Sequence, residues 1–342
     1  MYSPAEYSKK IIYSLSKLAP ALALIFCASA VLLLFSAAPV NRSQIAKFAI
    51  VCYSDTPISE DGVRGIKDGL KKHGYEENRN YKARVYSAHS DSAALNGIID
   101  AVISEEFDLI FTISTPALQA ALKKIKKTPI IFSSTGDPVG AGAGESFTRH
   151  AANVTGICSL SDFSGMINLV GEIAPAAQKI GTIFCPSEIN SVLYKQRLEK
   201  AALEKGIKLE AVAASTAGEV ADAAESLCAG RGVEIICQIA DNLSAASFTA
   251  IIKASAAARI PVFGFVGSDA KHGAALSYAK DYYQGGIDSA NLAARILKGE
   301  SPAGMPFEYI SKTTLIINKK AALSGGLKIP ESVCRRADSI IE

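Results

Sequence analysis

The sequence contains two similar segments, DLIFTISTPALQAALKKIKKTPIIFSSTGDPV at residues 108–139 and EIICQIADNLSAASFTAIIKASAAARIPVFGFVGSDA at residues 234–270. Each segment begins with a short apolar run and continues through a polar loop into an alanine-rich helical stretch. It ends with a second apolar run and a second polar loop that contains an aspartate. Parallel strands that are buried on both faces have such continuous apolar runs, and the helix is the crossover between them. The repeated pattern predicts an α/β fold.

Polar loops follow the apolar runs in both segments, at the points where the predicted strands end. In parallel α/β sheets, ligands bind outside the carboxyl ends of the strands, which is where these loops fall. Two copies of the unit imply two lobes, each of which offers a polar rim to a shared cleft. The sequence therefore predicts a protein that binds a ligand between two lobes.

The composition is that of a globular chain with little net charge. Hydrophobic residues make up 49% of the 342 residues, charged residues make up 20%, and the formal net charge is +3. This length is sufficient for two domains and a leader. Nucleic-acid binding needs clustered basic charge, whereas the lysines and arginines of this sequence are scattered or lie on helical faces. We therefore expect no nucleic-acid partner.

Common enzyme motifs and metal-type spacings are missing from the sequence. It has no HExxH or GxSxG motif and no CxxC pair, and its four histidines are spread along the chain. Zinc proteases and serine hydrolases of the common classes carry such motifs. We predict that the protein is not an enzyme and that it uses no cofactor and no metal.

The N-terminus carries an apolar run, Leu18–Phe35, without a charged residue. Lys9, Lys10 and Lys17 precede this run, and positive charge before an apolar run is typical of an export signal. We expect residues 1–45 to be a signal peptide or a membrane anchor built on a hydrophobic helix. The rest of the chain would be periplasmic or otherwise extracytoplasmic. An uncleaved helix would tether it to the inner membrane.

Six cysteines follow the apolar run, an even number that permits disulfides in an exported protein. Cys52, Cys185 and Cys237 lie within apolar, strand-like runs, where a thiol commonly behaves as a small core residue. Cys228 and Cys237 flank one loop and would pair only if the geometry allowed it. Free buried thiols are the favoured interpretation.

Seven short motifs, in this order and spacing, resemble one family of proteins. The family comprises the exported substrate-binding proteins of ABC transporters that include the tryptophan- and tyrosine-type binders. The resemblance covers residues 46–335. The motifs are Thr115–Ala117, Asp137–Gly140, Asn153–Gly156, Pro186–Ser191, Asp241–Asn242, Gly273–Ala274 and Asp281–Gly285.

The resemblance implies a two-lobed type I periplasmic-binding fold, in which each lobe is a parallel sheet flanked by helices and three crossings join the lobes. Residues 46–155 and 280–305 would form lobe one, and residues 156–279 and 306–342 would form lobe two. It also implies uptake of a small solute, with an ABC transporter permease as the partner. The alternative is a membrane-anchored ligand-sensing module with the same fold.

Candidate ligand contacts in lobe one are the polar residues at the ends of its predicted strands. Ser114 and Thr115 end a strand and open a helix, and hydroxyls beside free N–H groups at a helix N-terminus suit a ligand carboxylate. Plain helix capping is the alternative role for both. Asp137 either caps the segment that follows it or binds a ligand ammonium. The lobe-one candidates are Ser54, Asp55, Ser114, Thr115, Thr135 and Asp137.

Candidate ligand contacts in lobe two include three acidic residues in loops after predicted strands. A buried carboxylate without a cationic partner is costly, so a ligand ammonium or guanidinium is the expected partner. The alternative for Asp269 is a hydrogen-bond network at the hinge, and Asn190 could cap its helix. Hydroxyls in one lobe and carboxylates in the other predict an amino-acid-like ligand. The lobe-two candidates are Glu188, Asn190, Asp241, Asn242 and Asp269.

Overall fold

Two β-sheets organise residues 45–342, which are the part of the chain that the computed structural model describes and which form one compact unit. The first sheet has the strand order β11-β5-β4-β3-β1-β2, and all its strand pairs are parallel. Its strands are β1 (Ala46–Cys52), β2 (Tyr81–Ser87), β3 (Leu109–Ile113), β4 (Ile130–Thr135), β5 (Val154–Cys158) and β11 (Glu308–Tyr309).

The second sheet has the order β13-β12-β10-β9-β8-β6-β7. We predicted parallel pairing in both sheets, but β12 runs antiparallel to β10 because the chain returns to this sheet from the other lobe rather than through a crossover helix. The strands are β6 (Lys179–Phe184), β7 (Lys208–Ala213), β8 (Ile235–Gln238), β9 (Val262–Gly264), β10 (Leu276–Lys280), β12 (Thr313–Asn318) and β13 (Ser339–Ile341).

Helices connect the strands and cover both faces of each sheet. A short 3-10 helix spans Pro302–Gly304. The α-helices are α1 (Pro57–Lys72), α2 (Ser92–Ser104), α3 (Thr115–Lys124), α4 (Phe163–Ile173), α5 (Ile189–Leu203), α6 (Ala217–Cys228), α7 (Asn242–Ala246), α8 (Phe248–Ala258), α9 (Tyr282–Leu297), α10 (Lys319–Ser324) and α11 (Glu331–Cys334).

The buried strands send alternate side chains to opposite faces of the sheet. In β4, Ile131 belongs to the buried cluster on one face that also includes Ile66 of α1, and Phe132 belongs to the cluster on the other face that includes Leu95 of α2. This double burial explains why β3 and the first half of β4, residues 130–132, are largely apolar in the sequence rather than alternating. The α/β fold predicted from the repeated segments is confirmed, since each contributes two strands and an intervening helical stretch.

The chain passes between the sheets three times, after β5, after β10 and after β11. We expected one last strand over residues 308–317. The chain instead forms two short strands there, because Glu308–Tyr309 pairs with β5 of the first sheet and Thr313–Asn318 pairs with β10 of the second. Strand β11 therefore lies in the first sheet, whereas residues 306–342 were expected to belong to lobe two.

Helices α1 and α9 approach each other closely through glycines. A Cβ added to Gly65 would lie 2.0 Å from the carbonyl oxygen of Tyr283, and one added to Gly286 would lie 2.3 Å from that of Gly62. Only glycine leaves room for two backbones at this separation. The contact fixes α9, which comes late in the sequence, against the first sheet.

The six cysteines of the described residues are free thiols. Five are buried, and Cys228 is partly exposed, so the expectation of buried thiols holds for all but that one residue. No helix within residues 45–342 is long and apolar enough to cross a membrane. The predicted leader, with its Leu18–Phe35 helix, lies outside the described residues.

Candidate functional site

Four buried hydroxyls gather at the carboxyl ends of β3 and β4. The side-chain oxygens of Ser114, Ser133, Ser134 and Thr135 have no hydrogen-bond partner among residues 45–342. Leaving a buried hydroxyl unpaired costs about 1–3 kcal/mol, and such groups are rare in folded proteins. Their concentration at one edge of the sheet makes this edge a candidate binding site.

Ser114 precedes α3 but does not cap it through its side chain. Its backbone has φ +86°, and no N–H group of α3 donates to its hydroxyl. Pro116 occupies the first turn, where a missing N–H group costs nothing. Side-chain capping was the alternative role for Ser114, and the observed geometry leaves its hydroxyl and the N-terminus of α3 open to an anion.

A cavity of about 150 Å³ lies between elements of the two sheets. Thr115, Asp137 and Gly140 line it from the side of the first sheet, and Asn190 and its neighbours in α5 line it from the second. A larger depression, of about 540 Å³, lies between α6 and α8 and is lined mainly by alanines. We place the site in the smaller cavity, because the polar strand ends lie there and both lobes contribute to its wall.

The Glu188 carboxylate organises the second wall of the cavity. It accepts hydrogen bonds from the Nδ2 groups of Asn190 at 3.2 Å and Asn242 at 2.6 Å, and from the backbone N–H groups of Asn242 and Leu243. Asn242 Oδ1 in turn accepts a hydrogen bond from Ser54 Oγ at 3.3 Å, which links the second lobe to the loop after β1. Four predicted candidates, Ser54, Glu188, Asn190 and Asn242, are thus brought together.

Asp241 is fully buried and is satisfied from within the protein. Oδ1 accepts the N–H of Ser244 at 2.7 Å, and Oδ2 accepts the N–H of Cys185 at 3.2 Å and the hydroxyl of Ser191. Burial, assisted by the nearby Glu188 carboxylate, raises the pKa of Asp241 above its ordinary value. The observed role is that of a cap for α7, whereas the sequence led us to expect a ligand ammonium as its partner.

A family model described as ABC transporter substrate binding protein matches residues 47–341, which is nearly all of the described chain. The chain belongs to this family. The resemblance predicted from the seven sequence motifs is therefore confirmed. Members of the family are substrate-binding proteins, in agreement with the prediction of a non-enzymatic protein.

Three relatives of this substrate-binding protein are informative. The tyrosine-binding protein of Clostridioides difficile is 30% identical over 263 residues, which are 77% of this chain and 76% of the relative. An ABC domain from Streptococcus pneumonia in complex with L-Trp has a TM-score of 0.82 at 25% identity, over 86% of this chain and 99% of that chain. A ligand-free, open substrate-binding protein with adhesive properties from Clostridium difficile has a TM-score of 0.67 at 26% identity, over 87% and 99%.

Asp269 of the substrate-binding protein lies in the loop after β9 and is 4% exposed. Its Oδ2 accepts the backbone N–H of Val266 at 3.0 Å. Burial raises the pKa of Asp269 to about 8, and the single hydrogen bond lowers it only in part. A carboxyl group in this setting is protonated at neutral pH unless a cation approaches it.

Asp55 and Asp137 are the more accessible acidic candidates. Asp55 is exposed and pairs with His89, and a hydrogen bond from Ser87 is the main reason that its pKa is lowered. Asp137 Oδ1 accepts the N–H of Gly140 at 2.9 Å, so Asp137 caps a turn as the sequence allowed, while it also lines the cavity. Asp55 does not line the cavity, whereas Asp137 and Thr115 both do.

One wall of the cavity, formed by the first two turns of α5, was not predicted from the sequence. The residues recur at helical spacing and follow the polar loop at the end of β6. Ile189 is 47% exposed, an unusual position for a large apolar side chain beside a strand end. The helical spacing of these residues, directly after a strand end, could have identified them from the sequence. The missed residues are Ile189, Val192, Leu193 and Gln196.

Proposed function

We propose that the protein is the extracytoplasmic solute-binding component of an ABC transporter and that it binds one small amino-acid-like molecule between its lobes. The main support is the cavity between the two sheets, which Thr115 and Asn190 line from opposite sides. Asn190 Oδ1 and the Ser114 hydroxyl beside this cavity are buried and have no partner among the described residues. Binding would complete hydrogen bonds that the protein alone leaves open.

The chemistry of the cavity favours a zwitterion. The open N-terminus of α3, with Ser114 and Thr115, suits a carboxylate. Asp137, which keeps one carboxylate oxygen free of the turn that it caps, and Asn190 Oδ1 suit an ammonium group. The apolar side chains of α5 would contact the rest of the ligand. The names of two relatives refer to tyrosine and L-Trp, both of which are amino acids of this type.

The arrangement of the lobes also supports ligand binding by closure. The described residues have a TM-score of 0.82 with the L-Trp complex but only 0.67 with the ligand-free, open structure, although the two relatives are 25% and 26% identical to this chain. We infer that the two lobes are arranged as in a ligand-bound relative. The hydrogen bond between Ser54 and Asn242 is then a contact of the closed form, and ligand binding would shift the population toward it.

A thermal-shift screen of the protein against the twenty amino acids tests the proposal. A ligand present at ~100 times its dissociation constant should stabilise the protein by about 2.7 kcal/mol. The matched controls are the same side chains without the carboxylate, such as tyramine and tryptamine, and without the amine, such as phloretic acid. If no amino acid raises the melting temperature, or if the truncated analogues do so equally well, the proposed ligand class is wrong.

A further inference from the structure

The hydrogen bonds of Glu188 restrict how two asparagines face the cavity. A carboxylate has acceptor oxygens only, so an amide that contacts it must present its NH2 group. Asn190 and Asn242 both do so, with Nδ2 at 3.2 Å and 2.6 Å from the same oxygen, Oε2. Each amide oxygen therefore points away from Glu188. One carboxylate thus sets the orientation of two amides.

The two amide oxygens lie at different functional positions. Asn242 Oδ1 accepts a hydrogen bond from Ser54, which comes from the loop after β1 in the opposite lobe. Asn190 Oδ1 is buried without a partner in the described part of the chain, and Asn190 lines the cavity between the lobes. The first oxygen can hold the lobes together, and the second is free to accept a hydrogen bond from a bound molecule.

We propose that Glu188 is a positioning residue that directs the Asn242 oxygen to Ser54 for lobe closure and the Asn190 oxygen to the donor group of the ligand. This inference rests on the proposed function, because it assigns the partner of Asn190 to a ligand. Glu188 itself then does not touch the ligand. Its carboxylate is occupied by four N–H donors, two from side chains and two from the backbone of Asn242 and Leu243.

Exchanging the acid and the amide between positions 188 and 242 tests whether Glu188 orients the asparagines or only caps a helix. In Glu188→Gln, an NH2 group replaces one of the two acceptor oxygens, so at least one of the N–H donors of Asn190, Asn242 and Leu243 loses its acceptor. In Asn242→Asp, two carboxylates face each other. The double variant E188Q/N242D has the charge of the original protein. Its introduced glutamine donates an amide N–H to one oxygen of the introduced aspartate, which leaves the other oxygen of that carboxylate for Ser54, and the amide oxygen of the glutamine still accepts the Nδ2 group of Asn190.

The experiment measures melting temperature and dissociation constant for these three variants in the full chain, purified in mild detergent, with L-tyrosine and L-tryptophan as probes. Each single variant should weaken binding roughly tenfold or more, as expected for the loss of a charge-assisted hydrogen bond. The double variant should return to within about twofold to threefold of the original affinity, since the two losses are coupled. Equal or larger loss in the double variant overturns the proposal.

Two further comparisons complete the test. Glu234 also accepts two backbone N–H groups, from Gln178 and Lys179, but it lies at the opposite ends of the strands. Glu234→Gln should leave the affinity unchanged. If Glu188→Gln lowers only the melting temperature, Glu188 is a structural cap and the proposal is wrong. If the original protein binds neither probe, the melting temperatures alone decide: recovery in the double variant supports the orientation, and additive losses overturn it.

Discussion

Asp269 should make the stability of the protein depend on pH in an unusual direction. Burial raises the pKa of this carboxyl from 3.8 to about 8 in the folded protein. Between these values the folded state holds a proton that the unfolded chain has released. The contribution of Asp269 to the free energy of unfolding is therefore largest below about pH 4, falls as the pH rises, and is smallest above about pH 8. Asp269→Asn replaces it with a neutral amide that does not titrate.

The expected magnitude follows from the span of pH over which the folded carboxyl stays protonated. Each pH unit between the two pKa values changes the free energy of unfolding by about 1.4 kcal/mol. From pH 5 to pH 8 the original protein should lose about 4 kcal/mol relative to Asp269→Asn. At pH 5, Asp269→Asn should be as stable as the original protein or less stable, because the second hydrogen of its amide needs a partner. At pH 9, the variant should be the more stable protein.

Urea unfolding at pH 5, 7 and 9 measures this difference in a chain that begins at Ser43. The comparison isolates Asp269, because every other acidic group is common to both proteins. If the two free energies of unfolding keep a constant difference across this pH range, Asp269 ionises normally in the fold. The burial of this carboxyl would then have no effect on its pKa, and the reasoning would be refuted.

Four other substitutions have distinct expected outcomes. Asp241→Asn should destabilise the empty protein by about 1–3 kcal/mol in urea unfolding, since it disturbs internal hydrogen bonds; an unchanged midpoint with weaker ligand binding would return Asp241 to the ligand site. Thr115→Val should weaken ligand binding about 10- to 150-fold by calorimetry with little change in melting temperature, and normal binding would remove Thr115 from the site. Gly65→Ala should cost about 1–3 kcal/mol because its Cβ would meet a carbonyl oxygen at 2.0 Å. Gly97→Ala, in an exposed helix position with nothing within 4 Å, should be neutral or stabilise by up to about 1 kcal/mol, and equal effects at both glycines would contradict the close approach of α1 and α9.

The sequence was sufficient for the elements whose signals are local. The apolar runs of β3 and β4 and the helix that opens at Pro116 are visible without any knowledge of distant residues. The end of the chain was predicted less well. Residues 308–317 look like one strand, and only pairing with two different sheets divides them. Such pairing depends on residues more than 30 positions away, which a local pattern does not contain.

The partners of the acidic residues in the candidate site are also distant in sequence, so a local pattern does not contain them. The sequence places Glu188 and Asp241 in loops after strands, and this position is correct. Their partners could not be predicted, because Glu188 binds Asn242 54 residues later and Asp241 binds Ser191 50 residues earlier. A buried carboxylate does not need a cation here, because backbone N–H groups at the start of a helix satisfy it equally well. Ser114 and Thr135, two of the predicted candidates, have unpaired hydroxyls within the described residues, and their contact with a ligand stays a prediction.

The late position of α9 in the sequence affects the order in which the chain can fold. The first sheet is covered on one face by α1 and α9, and its edge strand β11 follows α9, so its core is incomplete until residues 282–309 are available. In a chain that is synthesised or exported from its N-terminus, strands β1 to β5 therefore stay exposed until the segment from α4 to α8 has also appeared. For an exported protein, this interlaced topology delays the completion of the first lobe until nearly all of the chain has crossed.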